Sequence, residues 1–383
     1  MKKIALRAVA ALALLLLAAL LLVKLNYGGG KAYLDVSTVP LISQNKVETL
    51  VSLEYPPGNV SVADDGRIFF AYHPFAQVHR FNVPSVFELV AGVPRPYPDA
   101  DFQKRYQGVF GMTIDKHNRL WVIEPAGLDH KKSRLLAFDL KTNAQVFEYW
   151  FPAKEAQFAQ DLRVSADGQT VILADTGLFK FTPPALIVFD ITAKSYRKVL
   201  SQDPSTQPQD WVIRTQNGPH KLGYGLVTFS VGVDGIEFSR DGRWLYYGAM
   251  SHQQMYKVPT AALLDATLPA QALSKQVVAV GRKPLSDGIT VDAQDNILIT
   301  DVENGGIARL NAKGELVTLT KSPQVVWADG IAMEPDGKVL FTDSAIPAYI
   351  DQLARPPSRE KLKASSPYRI YRFDLRGLVG TVQ

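Results

Sequence analysis

Three aspartates stand at matching places in a repeated segment of this chain: Asp234, Asp287 and Asp329, each followed by glycine and each eight residues ahead of Gly242, Asp295 or Gly337 in a polar turn. In a fourth copy Gln160 takes the place, with Asp161 beside it, and Gly58 and Phe110 take it in two more. Carboxylates drawn from separate segments suit a hard divalent cation such as calcium, which takes about six to eight oxygen ligands. Asp161, Asp234, Asp287 and Asp329 are therefore the candidate metal ligands. The competing reading is structural, because Asp-Gly at a strand start also makes local turns and caps backbone amides. Carboxylates crowded at one mouth raise one another's pKa unless a cation or hydrogen bonds compensate.

A second acidic set lies beyond the turns, with Glu124, Asp301 and Asp343 six residues on and Asp175 seven; Glu303 and Asn304 follow Asp301 closely. Such groups commonly cap loop amides. The sharper role is to hold a small molecule or amine, for which carboxylates are natural partners. Gln160, Asp175, Asp301, Glu303, Asn304 and Asp343 are placed for that role. Of the histidines at 73, 79, 117, 130, 220 and 252, His252 is best placed for acid-base work, and His73 holds the comparable position earlier. Asp287 is the second catalytic candidate, polarising a carbonyl with Asp234 and a cation.

The elements that must position these residues recur six times. Each copy is a short apolar strand, a polar turn and a second apolar strand, as in Asn59-Val60-Ser61-Val62, Asp65-Gly66, Ile68-Phe69-Phe70. Between the turn residues Gly66, Asn118, Gly168, Gly242, Asn296 and Gly337 the spacings are 52, 50, 74, 54 and 41. Periods of about 40 to 50 residues built from short strands indicate blades of a propeller. The fold class is thus all-β, a six-bladed β-propeller with four strands per blade. The long third spacing holds an insertion, placed at Ser201 to Val231.

Val47 to Tyr55 has strand character but precedes the first inner strand, whereas Tyr368 to Leu375 alternates clearly at the far end. The two termini are expected to share the last blade and so close the ring. Thr260 to Ala266 reads as a short helix and Ser344 to Pro367 as a loop. The tryptophans read as packing between blades.

Hydrophobic residues make up 46% and charged residues 21% of 383, a globular composition. The net charge of +5 is too scattered for nucleic-acid binding. Absence of cysteine excludes disulfides, thiolate chemistry and a lipoprotein anchor. Met1-Lys2-Lys3 followed by the uncharged run Ala8 to Val23 is an export signal, either cleaved or retained as an anchor. Lys2, Lys3 and Arg7 orient it with the remainder outside the cytoplasm. Residues 1–30 are therefore signal or anchor plus a flexible Gly28-Gly29-Gly30 tether, and residues 31–383 the propeller. The membrane is met only through the N-terminal segment, and the oligomeric state is left open.

Several stretches resemble the yellow/major royal jelly protein family: Gly111-Met112-Thr113-Ile114-Asp115 with Arg119-Leu120-Trp121-Val122, Leu136-Ala137-Phe138-Asp139-Leu140, Gly232-Val233-Asp234-Gly235-Ile236, Tyr256-Lys257-Val258-Pro259, Thr300-Asp301-Val302-Glu303-Asn304 and Trp327-Ala328-Asp329-Gly330. The resemblance runs over about residues 47 to 375 and implies an exported six-bladed propeller that binds small molecules such as amines at one end of its channel. For some members it implies pigment metabolism, with no shared catalytic motif to carry over. The gluconolactonase/regucalcin propellers are more distantly similar. Their metal-dependent lactonase pattern of Glu, Asn, Asn and Asp is matched only at Asp287, since Gly58, Gln160 and Asp234 replace the others. Ligand binding, metal-assisted hydrolysis or isomerisation, and an interaction scaffold are the three readings that follow.

Overall fold

The computed structural model describes residues 2–77, 85–127, 132–348 and 358–376. Six four-stranded sheets stand around one axis, and every neighbouring pair of strands within them runs antiparallel. Their inner strands are Pro57–Val62, Met112–Ile114, Ala159–Val164, Val233–Phe238, Ile289–Val291 and Ala328–Met333. Each touches the inner strands of its two neighbours, and the sixth meets the first.

The second strands are apolar runs, such as Ile68–Tyr72 and Ile297–Asp301, buried along their whole length. A strand in mid-blade has a neighbouring blade over each face, so neither face needs polar residues. Cover thins toward the rim, where Gln145–Trp150 of blade two is only partly buried. At the tight turns the left-handed conformation falls on Gly66, Asn118, Gly168, Gly242, Asp295 and Gly337. In the fifth copy the turning residue is thus Asp295 rather than Asn296.

Ring closure follows the expectation. Blade six contains Ala328–Met333, Lys338–Asp343 and Tyr368–Asp374, and its rim strand is the N-terminal Glu48–Leu53. Leu53 pairs with Tyr368 and Glu48 with Arg372. The helix expected at 260–266 is Thr260–Leu264, and a second follows at Ala270–Ser274. The loop after blade six's second strand includes the helix Arg359–Ala364, and its residues 349–357 lie outside the described residues, as do His79 and His130.

Within a blade the inner strand runs from one end of the channel, here the start end, to the turn end. The connections from second to third strands and from blade to blade therefore lie on the start side. The insertion before blade four lies on this side and folds as small ladders, including Lys221–Leu222 against Val227–Thr228. Its Ile213, Leu222 and Phe229 are buried with Trp327 in one apolar cluster.

The N-terminal segment departs from the expected tether. Helix Lys2–Tyr27 spans 26 residues, long and apolar enough to cross a membrane. The glycines after it are docked: Lys221 Nζ donates to the Gly28 carbonyl at 2.8 Å and Thr228 Oγ1 to that of Gly29 at 2.7 Å. Lys31–Ala32 then pairs in parallel with Trp211–Val212. The chain continues along blade five's rim strand, where the Leu41 and Ile42 amides donate to Thr318 and Leu319. Flexibility inferred from Gly-Gly-Gly is overridden because the small residues let the backbone approach the insertion closely.

Candidate functional site

The aspartates reach the axis through irregular strand starts. Pairing of inner with second strand shifts register between Val233 and Ile236 in blade four, and between Ala328 and Ile331 in blade six. Asp234-Gly235 and Asp329-Gly330 occupy these bulges, a device that re-aims side chains. The glycines answer to the neighbouring blade. A Cβ at Gly235 would stand 2.7 Å from the Asp287 carbonyl oxygen, and one at Gly288 2.6 Å from that of Asp329. Asp-Gly here is a contact between blades rather than a tight turn.

Asp234 is 3% exposed, and its Oδ2 is buried without a hydrogen-bond partner. Asp329 is 8% exposed, its Oδ2 lies 3.9 Å from His73 Nε2, and a hydrogen bond from the Ser344 side chain holds its carboxyl. Asp287 Oδ2 accepts from the indole Nε1 of Trp327 at 2.8 Å. Burial, then repulsion from Asp287, Asp161 and Asp329, pushes the Asp234 carboxyl well above its usual range. Burial and the charge of Asp287 do the same to Asp329, whereas Asp287 is pushed up to about 7, mainly by burial. Burial holds the His73 imidazole neutral, with a pKa lowered to about 3.

Lys283 joins this end of the channel and was not singled out by the sequence pattern. It is wholly buried, and its ammonium donates to Ser286 Oγ at 2.8 Å and to the Pro284 carbonyl at 3.1 Å. Burial lowers its pKa to about 7 against the attraction of Asp234 and Asp301. Gly248 makes room for it, since a Cβ there would lie 2.8 Å from Lys283 Cε. Above Asp287 the fully buried Trp327 packs on the His220 and Phe229 rings of the insertion, at 5.4 and 6.1 Å. Trp327 is thus a hydrogen-bond donor to the channel as well as packing.

Farther along the channel Asp161 is not free for a ligand. Its Oδ1 accepts from Arg163 Nη1 at 2.8 Å, and Arg163 Nε reaches Glu237 Oε2 at 2.9 Å across the gap between blades three and four. This pair also went unremarked in the sequence, where Arg163 and Glu237 are ordinary strand positions. Toward the turn end it borders a cavity of about 370 Å³, lined also by Ser61, Thr113, Thr290 and Met333.

The second acidic set takes the structural role. Glu124 accepts from the Gln107 amide at 2.6 Å and Arg134 Nε at 2.6 Å. Asp175 accepts from the Gly177 amide, Asp301 from the amides of Glu303 and Asn304, and Asp343 from those of Val326, Trp327 and Ala345. Glu303 receives the Arg214 amide of the insertion at 2.7 Å, and Asn304 Nδ2 donates to Asp301 at 2.9 Å. Asp175, Asp301, Glu303 and Asp343 thus each hold backbone amides, and Asn304 is bonded to Asp301. The backbone carbonyl oxygen of Gln160 would be 2.5 Å from a Cβ at Gly111 of the neighbouring blade.

His252 is 5% exposed, its Nδ1 accepts from the Gln254 amide at 2.9 Å, and burial lowers its pKa to about 4. Its imidazole is thus neutral and orders its own loop. The four expected metal ligands surround the channel. Among the described residues, however, no three His, Asp or Glu side chains come together closely enough to hold a metal ion. With Asp161 bound to Arg163 and Gly58 in place of a glutamate, the residues present do not fit a lactonase-type metal centre.

Comparison with known proteins places these features in a wider group. The sequence profile described as major royal jelly protein matches residues 107–339. Yellow-related salivary protein M10 of Phlebotomus duboscqi is 28% identical over 184 residues, which cover 42% of this chain and 44% of that protein. The chain thus spans less than half of that relative's length. A luciferin-regenerating enzyme superposes with a TM-score of 0.54 at 12% identity, covering 86% of this chain and 95% of that one. A gluconolactonase from Xanthomonas campestris gives 0.53 at 11% identity, covering 85% and 88%. At these identities the likeness concerns the fold.

Proposed function

This chain belongs to the major royal jelly protein family, and we propose that it is an extracytoplasmic binding protein for a small organic amine, held as ammonium by Asp234, Asp287 and Asp329. The observation that carries this reading is the buried carboxylate oxygen Asp234 Oδ2, which has no hydrogen-bond partner among the described residues, amid the charges of Asp287, Asp161 and Asp329. An unpaired buried polar atom costs free energy that a bound donor restores. An ammonium ion supplies several donors and the opposite charge, so it also relieves the repulsion that raises these pKa values.

Location outside the cytoplasm is supported by the apolar helix Lys2–Tyr27 and by the positive residues Lys2, Lys3 and Arg7 at its start. The family relative from Phlebotomus duboscqi is described as salivary.

Charge must be present for the ammonium to bind. Because Asp287 titrates at about 7, affinity rises with pH through that value until the amine itself loses its proton. Isothermal titration with aliphatic and aromatic amines at about pH 8 tests the proposal. One-to-one binding that weakens about tenfold or more in Asp287→Asn is expected, since charged hydrogen bonds contribute about 1.5–3 kcal/mol. Asparagine can still accept from Trp327 and so isolates the charge. No heat from any amine, or equal affinity for the amine and its neutral alcohol analogue, would overturn it.

A further inference from the structure

We infer that the start face of the propeller rests on a phospholipid bilayer, with the N-terminal helix spanning the membrane beside it and the turn-end cavity directed away. This rests on the joint between helix and propeller and is independent of the amine reading. The helix ends at Tyr27, whose ring packs on Phe181 at 4.2 Å. Phe181 lies between the second and third strands of blade three, on the start side. The next two residues are bonded to the insertion through the Gly28 and Gly29 carbonyls, and the Lys31 amide donates to the Asp210 carbonyl at 2.8 Å.

A Cβ at Gly28 would stand 2.8 Å from the carbonyl oxygens of Gly225 and Leu226, so helix and insertion meet by direct backbone approach. No slack chain separates them. A helix that crosses a bilayer and is fastened in this way brings the insertion to the bilayer surface.

The surface brought there suits it. The hairpin between Lys221–Leu222 and Val227–Thr228 turns through Gly223, Tyr224 and Gly225, all in the left-handed region. The tip residue is tyrosine, 92% exposed, at φ 58°, where a bulky side chain is disfavoured. Among the described residues nothing covers that ring. Phe181 is 45% exposed on the same side and Lys24 is exposed in the last turn of the helix, whereas Lys180 is paired with Asp210 and Lys221 with the Gly28 carbonyl. Exposed aromatic rings and a lysine next to a spanning helix are the composition of a membrane interface, where the rings lie at headgroup depth and the cation meets phosphate. Continuity with the helix selects lipid over a protein partner.

The absence of native cysteine makes the test direct. Single cysteines replace Tyr224, Phe181 and, as a control, the exposed Lys313 in the outer turn of blade five. Each is labelled with an environment-sensitive fluorophore in the full chain, reconstituted into phosphatidylcholine and phosphatidylglycerol vesicles containing spin-labelled lipid. Labels at 224 and 181 are expected to be quenched about threefold more than at 313, as for groups about 5–10 Å deep. Equal quenching at 224 and 313 overturns the inference, because the helix would then anchor a propeller standing clear of the bilayer. Recovery of the expressed chain in the soluble fraction without its helix overturns it too.

Discussion

Asp234 and Asp241 belong to the same blade, seven residues apart, yet one end of the strand keeps its carboxyl far above the usual range and the other holds it at about 2. At the turn, Asp241 faces water and accepts from Ser239 Oγ at 2.7 Å and from the Arg243 amide at 3.0 Å. At the start, Asp234 is buried among Asp287, Asp161 and Asp329. Arg163 marks the border, joining Asp161 on the start side to Glu237 toward the turn. The contrast separates groups kept in one charge state by their partners from groups left able to change theirs. The proposed amine site belongs with the second kind.

The largest expected effect comes from removing the border. Arg163→Met leaves Asp161 and Glu237 facing each other without a cation, a loss of about 3–5 kcal/mol for a buried pair broken on one side. Urea unfolding at about pH 7 measures it. A loss below about 1 kcal/mol, the range of exposed pairs, would mean that water screens the channel throughout and that its two ends do not differ.

A smaller effect is a slope with pH. The Asp287 carboxyl has an ordinary value of 3.8 and a folded value of about 7. Between them the folded chain keeps a proton that the unfolded chain has released. The stability this contributes is complete below about 3.8 and is lost as pH rises through about 7. Each pH unit between is worth about 1.4 kcal/mol per group at most. The difference between the parent chain and Asp287→Asn, followed by unfolding midpoints from about pH 4 to 8, should trace that loss. A flat difference would show that Asp287 is already ionised, as the turn-end carboxylates are.

The smallest effect belongs to Asp241→Ala. For this group the sign is reversed, because its depressed pKa stabilises above about 3.8 and that contribution is lost as pH falls through about 2. Being exposed, it should give no resolvable change in midpoint at about pH 7. A loss comparable with that of Arg163→Met would remove the distinction between the two ends.

Much of the frame could be read along the chain. Turn residues such as Asp65-Gly66 and Asp336-Gly337 and the apolar strands beside them follow local rules, and counting back from them reached the ring residues Gln160, Asp287 and Asp329. The closing strand was visible because Val47 to Tyr55 had no place in blade one. The chemistry of the ring was less legible. Arg163 meets Glu237 across 74 residues and Trp327 meets Asp287 across 40. That Asp301 and Asp343 accept from loop amides could not be read from their spacing. Nor could the bond from the Gln254 amide to the His252 imidazole.

Strand periodicity, turn chemistry and repeat length act between residues close in the chain, so the amino-acid sequence alone determined six blades, their order and the terminal strand that completes the last. Which carboxylates have partners is a property of blades meeting at an axis, and only tertiary structure decided it. Asp161 and Asp234 are both inner-strand aspartates, and an arginine on the same strand answers one while like charges surround the other. The same holds for Gly28-Gly29-Gly30. Its composition permits a loose tether, but the nearness of Lys221 and Thr228 after folding makes it a joint.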